Sequence, residues 1–284
     1  MNLKRHQQSG LTMIEVMVVL VISGFLIIGL TQVYLDHKRA YIFQQSQADN
    51  LDNSRFAVSV LDEWLAKAGY RRAPDQAHSE VFTRSTALSD HCETFAQNSV
   101  ITQIKADADT GQRGFCLRYQ PAQDGELTCD GNGVELTGSH ASNPFSPLRD
   151  SDMVYSAIIF QPHKTDANQG SLNCITKRGK VELLRGITDL RIEFAAGDMQ
   201  EKRLNSSAPF KSAQNWAAQD GPVRAVRYAV LAASRPNQRD GDSSIYTQWH
   251  AAADATTQKR LATQDKRQLY QVVTGMQVLR NMMP

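Results

Sequence analysis

A single acidic side chain interrupts an apolar segment near the start of the chain. Glu15 lies in the run from Met13 to Leu35, which has no other charged residue. The run is long enough to cross a hydrocarbon core of about 30 Å. A carboxylate within a membrane span costs about 2.5–3.5 kcal/mol on insertion scales, so it usually marks function. The alternative is that Glu15 lies at the membrane interface, because it is close to the start of the run.

Residues 1–10 precede this segment, are polar and basic, and end at Gly10. A secretory signal peptide has its cleavage site after the apolar run, but no small-residue site follows Leu35. Gly10 has no side chain, so a protease can approach its backbone closely. An unpaired carboxylate is costly in a bilayer, so Glu15 requires a partner of opposite charge if it lies within the span.

These residues must be positioned by a long helix. The sequence has no proline before Pro74 and no glycine between Gly29 and Gly69, and apolar residues recur at helical spacing beyond the span. The recurring positions are Tyr34, Tyr41, Ala48, Leu51, Val58, Leu61, Leu65 and Ala68. We predict one helix over residues 11–68 that ends at Gly69, with its apolar stripe packed on the rest of the chain. A heptad dimer is the alternative, but the repeat is short and irregular.

After Pro74, short β-prone runs alternate with turn residues such as Asp124-Gly125 and Asp240-Gly241. The predicted strands are residues 100–104, 114–119, 153–160, 171–176, 181–184, 190–194, 223–234 and 270–279. The polar segments 197–222 and 235–268 predict long loops, or a short helix at about 251–265. The predicted fold class is therefore α+β, with a long N-terminal helix packed on a mainly antiparallel β head domain.

Four cysteines lie in this head, at Cys92, Cys116, Cys129 and Cys174. None belongs to a CxxC pair, which disfavours zinc ribbons and thioredoxin-like motifs. An even number of cysteines in an exported domain predicts disulfides, and four cysteines allow three connectivities. Buried free thiols are the alternative on spacing alone.

The head has no catalytic motif of the GxSxG or HExxH type and no phosphate-binding glycine loop. The net charge of +2 disfavours nucleic acid as a direct partner. His91 beside Cys92 suggests a metal or thiol site, although a solvated histidine is favoured. Residues 130–135 carry alternating oxygen donors but lack the EF-hand spacing, so a plain turn is favoured over a calcium loop. We predict neither an enzyme nor a resident metal or cofactor.

The N-terminal pattern over residues 4–35 resembles the class III signal of type IV pilins and pseudopilins. It consists of a basic leader, Gly10, the segment Leu11-Thr12-Met13-Ile14-Glu15 and an unbroken apolar helix. The resemblance implies that prepilin peptidase cleaves between Gly10 and Leu11 and that Leu11 is then N-methylated, although the family usually has phenylalanine there. It also implies that Glu15 pairs with the N-terminus of an adjacent subunit.

The same resemblance implies how the chain is divided. Residues 1–10 form the leader peptide, 11–35 the transmembrane half of the helix, 36–69 its periplasmic amphipathic half, and 70–284 the head. Basic residues flank the span on both sides, so the positive-inside rule alone gives no orientation. The resemblance and the cysteines favour a cytoplasmic N-terminus and a periplasmic head.

The head is similar, more loosely, to minor pilins of the PilW kind and to the J kind of minor pseudopilin in type II secretion. The similar patterns are Cys129 with Gly131, residues 172–174, 182–190, 223–231 and 278–281. This resemblance implies that Cys129 pairs with Cys174 and that Cys92 pairs with Cys116.

The resemblance implies a non-enzymatic structural subunit. It would be a minor pilin of the inner membrane that primes type IV pilus assembly with sister minor pilins, the major pilin and the assembly platform, with the pilus tip as one destination. A minor pseudopilin of type II secretion is the closest alternative. The alternative of another class is a membrane-tethered periplasmic enzyme or sensor with an uncut anchor, in which Glu15 would have no role.

Overall fold

The computed structural model describes residues 10, 12–73, 75–105, 110–143, 145–166, 169–197 and 210–283. The chain divides into two compact units, residues 1–46 and 47–284, and the boundary falls within helix α1, Met13–Lys67. The predicted long helix is therefore confirmed. It ends where expected, because Gly69 adopts a φ of +73° and its N–H donates to the carbonyl of Arg118 at 3.0 Å.

In the first unit, α1 is apolar and exposed. An 18-residue window has a mean hydropathy of 2.7 with none of it buried, so the helix is long and apolar enough to cross a membrane. A helix that is apolar on all sides is typical of a membrane span or of a segment covered by partners. Tyr34 and Tyr41, which belong to the predicted stripe, are both 65% exposed here.

In the second unit, residues 47–67 of α1 pack on the head. Leu61 and Leu65 are fully buried, as the predicted stripe requires. The prediction is wrong for Ala48 and Leu51, which are exposed. The face turned to the head carries Asn50 instead, whose Nδ2 donates to the Leu269 carbonyl at 3.2 Å. At this point of α1, the side chain that faces the head is therefore a polar one that forms a hydrogen bond, and not an apolar one as predicted.

The head contains one sheet of eight strands in which neighbouring strands pair in antiparallel fashion, with the order β1-β2-β3-β4-β5-β7-β8 and β6 beside β5. The strands are β1 Ile101–Gln103, β2 Arg113–Tyr119, β3 Val154–Gln161, β4 Gly170–Thr176, β5 Gly179–Ala196, β6 Lys211–Ser212, β7 Val223–Ala233 and β8 Tyr270–Val278. The predicted α+β class, with a helix packed on an antiparallel sheet, is confirmed.

Two details differ from the sequence prediction. The predicted strands 181–184 and 190–194 are parts of the single strand β5, whose irregular middle contains Gly186 with a φ of +95°. A register shift between Ile187 and Asp189 interrupts the alternation of inward and outward side chains. The sequence pattern therefore does not show that β5 is one continuous strand. The polar segment 235–268 holds two helices, α4 and α5, rather than one. The short helices of the head are α2 His78–Val81, α3 Ser139–Ser142, α4 Ser244–Ala251 and α5 Ala255–Leu261. Much of the other predicted loop, residues 198–209, lies outside the described residues.

The sheet buries both of its faces near β7. Val230 belongs to the main core, which also includes Leu61 and Leu65 of α1. Its neighbour Leu231 belongs to a second, smaller core with Trp249 of α4. Successive side chains on a strand point to opposite faces, so α1 and the α4–α5 pair cover different faces of the sheet.

Candidate functional site

The predicted cleavage site lies at the start of the first unit. Gly10 is exposed, and a Cβ built on it would meet no atom within 4 Å. No neighbouring atom therefore packs against this glycine, and its backbone is accessible. Leu11 and residues 1–9 lie outside the described residues, so the cleaved bond and the methylated amine stay predictions.

Glu15 lies in the first turn of α1. Its backbone N–H is 3.4 Å from Thr12 Oγ1 and 3.1 Å from the Thr12 carbonyl oxygen. Thr12 is thus the N-cap and Glu15 the third helical residue, the spacing of a capping box. Sequence reasoning missed Thr12 as the N-cap, although the signal Thr-x-x-Glu was visible. The Glu15 residue is exposed, and its carboxylate accepts no hydrogen bond from the described residues. It is available to a partner.

The apolar side chains next to Glu15 are also exposed. Met13 is 80% exposed, Ile14 76% and Val16 45%. A carboxylate surrounded by side chains that favour lipid is costly when unpaired, so pairing with a cation stabilises it. The first unit therefore combines an accessible glycine, an exposed carboxylate and a membrane-length apolar helix within a short stretch of sequence.

Two disulfides hold the loops of the head. Cys92 is bonded to Cys116 of β2, with their Cα atoms 5.9 Å apart, and Cys129 is bonded to Cys174 of β4, at 5.8 Å. These are the pairs that the resemblance to pilin heads implied. Each bridge ties a loop to a strand of the sheet, and closing loops of this length stabilises a fold by about 2–4 kcal/mol.

Arg118, two residues after Cys116, is a fully buried cation that sequence reasoning missed. Its guanidinium donates to the carbonyls of Thr83, Ala96 and Ser99 at 2.6, 3.0 and 2.7 Å. Burial lowers the pKa of Arg118, while its hydrogen bond with Tyr155 raises it. The three carbonyls belong to the loop before β1, so Arg118 serves to fix that loop rather than to bind a ligand.

A cavity of about 290 Å³ is lined by parts of β2 and β5, by residues 212–215 and by the connection from α4 into α5. Asp189 lines it and is 1% exposed. Its two oxygens accept from Arg260 Nη2 at 2.6 Å and from Trp249 Nε1 at 2.8 Å. Burial raises the pKa of Asp189, while Arg260 and the Trp249 N–H lower it.

The other charges of this cavity are also committed to neighbours. Arg113 Nη2 lies 2.9 Å from Asp254 Oδ2, and the Arg191 guanidinium lies over the Trp249 ring at 3.9 Å. Asp254 also accepts from the Thr257 hydroxyl at 3.0 Å and from the Thr257 backbone N–H, which is the bonding of a helix N-cap, so this carboxylate holds the start of α5 in place. The arrangement is that of a structural clamp between the sheet and α4–α5.

The turn at Asp130, considered above as a calcium loop, is closed by its own hydrogen bonds. Asp130 Oδ2 accepts from Thr176 at 2.6 Å, and Oδ1 accepts from Thr128 and from the Asn132 N–H. Burial raises the pKa of Asp130, but the hydrogen bonds outweigh it and bring it to about 2. Within the described ranges, no group of three His, Cys, Asp or Glu side chains is placed to hold a metal ion.

Comparison with known proteins points to the N-terminal segment. Residues 5–31 match the prokaryotic N-terminal methylation motif. The solved structure of a type IV-like pilin from Thermus thermophilus is similar at 12% identity, over 84% of this chain and 97% of that chain, with a TM-score of 0.40. No curated protein matches the chain significantly. The match of residues 5–31 to the methylation motif confirms the predicted class III signal.

Proposed function

We propose that this chain is a minor pilin, a structural subunit that joins sister minor pilins and the major pilin to prime assembly of a type IV pilus. The observation that carries the proposal is the methylation motif over residues 5–31, with Glu15 exposed at the start of an apolar helix. The pilus tip is a natural destination for a priming subunit. Force and ATP hydrolysis belong to other proteins of the assembly platform.

Maturation begins in the inner membrane. Prepilin peptidase removes residues 1–10 on the cytoplasmic side, and the new amino group of Leu11 is methylated. Residues 11–35 then span the bilayer, and residues 36–69 together with the head, 70–284, lie in the periplasm. Oxidation of the two cysteine pairs is in keeping with that compartment.

Assembly pairs Glu15 with the Leu11 ammonium of a neighbouring subunit. Thr12 caps the helix through the Glu15 backbone N–H, so the side chain of Glu15 remains free for this ion pair. The pairing fixes the axial register between subunits, because a shifted neighbour would leave both charges unpaired in an apolar environment. The helix thereby supplies both the membrane anchor and the assembly signal.

The head supports a structural rather than an enzymatic role. Two of its buried charges, Asp189 and Arg118, are bonded to neighbours that hold secondary structure together. Both groups do structural work, and neither activates a nucleophile. We therefore place the specific function of the head in contacts with other subunits.

The test is mass spectrometry of the N-terminus in cells with active prepilin peptidase, together with recovery of the chain in sheared pili. We expect a mature chain that begins at a methylated Leu11, and Gly10→Ala should abolish this product. Gly24→Ala is the matched control, because that helix glycine also has no atom within 4 Å of a built Cβ. Glu15→Ala should be cleaved but lost from pili.

Retention of Met1 in the wild-type chain, or normal processing of Gly10→Ala, would refute the proposed maturation. Recovery of the mature chain with secretion pseudopilins instead of pili would assign it to a type II secretion system. A Glu15→Ala chain that enters pili normally would show that Glu15 has no assembly role.

A further inference from the structure

Two tyrosines and a lysine share one face of α1 just after the apolar span. Tyr34, Lys38 and Tyr41 follow one another at intervals of four and three residues. Residues three and four apart on a helix are neighbours, so the three side chains form one row, named here the tyrosine–lysine face. All three residues are exposed, and each tyrosine is 65% exposed. This face therefore presents an ammonium group between two phenol groups.

The positive charge of this face has no counter-charge beside it. The ion pairs formed among the described residues do not include Lys38. Asp36 is two residues away, which places it about 160° around the helix from Lys38. Arg39 follows Asp36 by three residues and so lies on the side of that carboxylate. The tyrosine–lysine face is therefore cationic, while the other side of the helix carries both signs of charge.

The length of the span sets the level of this face in a bilayer. At 1.5 Å per residue, Tyr34 lies about 30 Å along α1 from Met13, its first residue. That length matches the hydrocarbon core, so in a spanning helix Tyr34 lies where the core meets the headgroups. Lys38 lies about 6 Å and Tyr41 about 10 Å further along the helix. The headgroup region adds roughly 5–8 Å on each side of the core, so it surrounds the tyrosine–lysine face.

The direction of helical side chains brings these groups closer to the lipid. The Cα–Cβ bonds of an α-helix tilt toward its N-terminus, and long side chains cover the preceding turn. In α1 that direction is toward the apolar span. Tyr41, whose Cα is the outermost of the three, therefore extends back toward the headgroups. Tyrosine and lysine both favour this interface, because each has an apolar body and a polar end.

We propose that the tyrosine–lysine face binds the phosphate of an anionic phospholipid headgroup. The inference rests on the membrane-anchored helix of the proposed function and adds a ligand to it. The Lys38 ammonium supplies up to three donors to the phosphate oxygens, and the hydroxyls of Tyr34 and Tyr41 donate from either side. A headgroup with a net negative charge is preferred to a zwitterionic one, whose own cation competes with Lys38. The lipid is bound before assembly, while lipid surrounds the helix.

The competing explanation is a diffuse attraction of basic residues to an anionic membrane surface. That attraction would treat Lys38 and Arg39 alike, because they are adjacent, exposed and cationic. A site on the tyrosine–lysine face distinguishes them, since Arg39 lies about 100° further around the helix, on the side of Asp36. The site also depends on the two phenol hydroxyls, which carry no charge at neutral pH. These two differences separate the explanations.

The test is native mass spectrometry of the full-length chain in detergent micelles, titrated with phosphatidylglycerol or with phosphatidylcholine. We expect the wild type to bind phosphatidylglycerol more tightly. Lys38→Gln should lower this affinity by about five-fold, which corresponds to about 1 kcal/mol for one basic side chain. Arg39→Gln is the matched control and should leave the affinity nearly unchanged. Both side chains are exposed, so neither variant disturbs the packing of the chain.

The double variant Tyr34→Phe/Tyr41→Phe removes the hydroxyls and keeps the charge. It should lower the affinity for phosphatidylglycerol by roughly three-fold or more, because hydrogen bonds to a charged group are lost. Equal effects of Lys38→Gln and Arg39→Gln, or an unchanged affinity in the tyrosine variant, would overturn the site in favour of diffuse attraction. Displacement of the lipid by inorganic phosphate at constant ionic strength would show that free phosphate, and not lipid, is the ligand.

Failure of the proposed function would be a separate result. Lipid affinity is measured on the isolated chain, whereas the pilin role is measured by recovery of the chain in sheared pili. A chain that binds lipid as expected but never enters pili would keep the lipid site and lose the pilin role. A chain that enters pili but responds equally to Lys38→Gln and Arg39→Gln would keep the pilin role and lose the lipid site.

Discussion

Replacing Asp189 with asparagine should destabilise the head by about 3–5 kcal/mol, because it leaves a buried guanidinium without its carboxylate. Asp189 is 1% exposed, and the Arg260 side chain is 15% exposed. The carboxylate also accepts from Trp249, so its replacement disturbs both helices that cover this face of the sheet. The expected loss is a large fraction of the 5–15 kcal/mol that stabilises a typical domain.

The expected loss of stability can be checked with a second single variant and with the double variant. Arg260→Met alone should be similarly destabilising, because it leaves the carboxylate unpaired in the interior. The double variant Asp189→Asn/Arg260→Met removes both charges and keeps an acceptor for Trp249 Nε1. It should therefore be more stable than the sum of the two single losses predicts. The exposed ion pair of Glu182 with Arg185 provides a control, and Glu182→Gln should leave the unfolding midpoint unchanged.

The assay is urea unfolding of the full chain in detergent, followed by tryptophan fluorescence, with hydrogen exchange of residues 244–261 as a local probe. Faster exchange in α4 and α5 should accompany the loss of stability in Asp189→Asn. The clamp role is refuted if Asp189→Asn loses less than about 1 kcal/mol, below the usual cost of an unsatisfied buried group. Additive single losses in the double variant would equally show that Asp189 and Arg260 are not coupled.

Two further predictions follow from close contacts in the head. The pKa of Asp130 is lowered from 3.8 to about 2, so its carboxylate stabilises the fold above about pH 4 and this contribution is lost as the pH falls through 2. The difference in urea midpoint between wild type and Asp130→Asn should shrink over that range; a constant difference would contradict it. Gly275→Ala should cost about 1–3 kcal/mol in thermal unfolding, since its Cβ would lie 2.2 Å from Tyr228 Oη, and an unchanged midpoint would contradict that contact.

The features that sequence predicted well are local. The methylation motif over residues 5–31 and the apolar run depend on spacing along the chain, so a short window contains the whole signal. The end of α1 could also be predicted from a local signal. Gly69 adopts the left-handed conformation that ends many helices. Strand positions followed from β-prone runs between turns, and most of them are confirmed. None of these inferences required knowledge of which residues meet in space.

The features that sequence missed depend on contacts between distant parts of the chain. Arg260 meets Asp189 across 71 positions, and Arg118 bonds to carbonyls 19 to 35 residues away. Nothing in the residues around either arginine indicates burial. The helix stripe failed at Ala48 and Leu51 for a related reason. The rotation of α1 is set by the sheet and by the bond of Asn50 to Leu269, rather than by the helix's own apolar pattern.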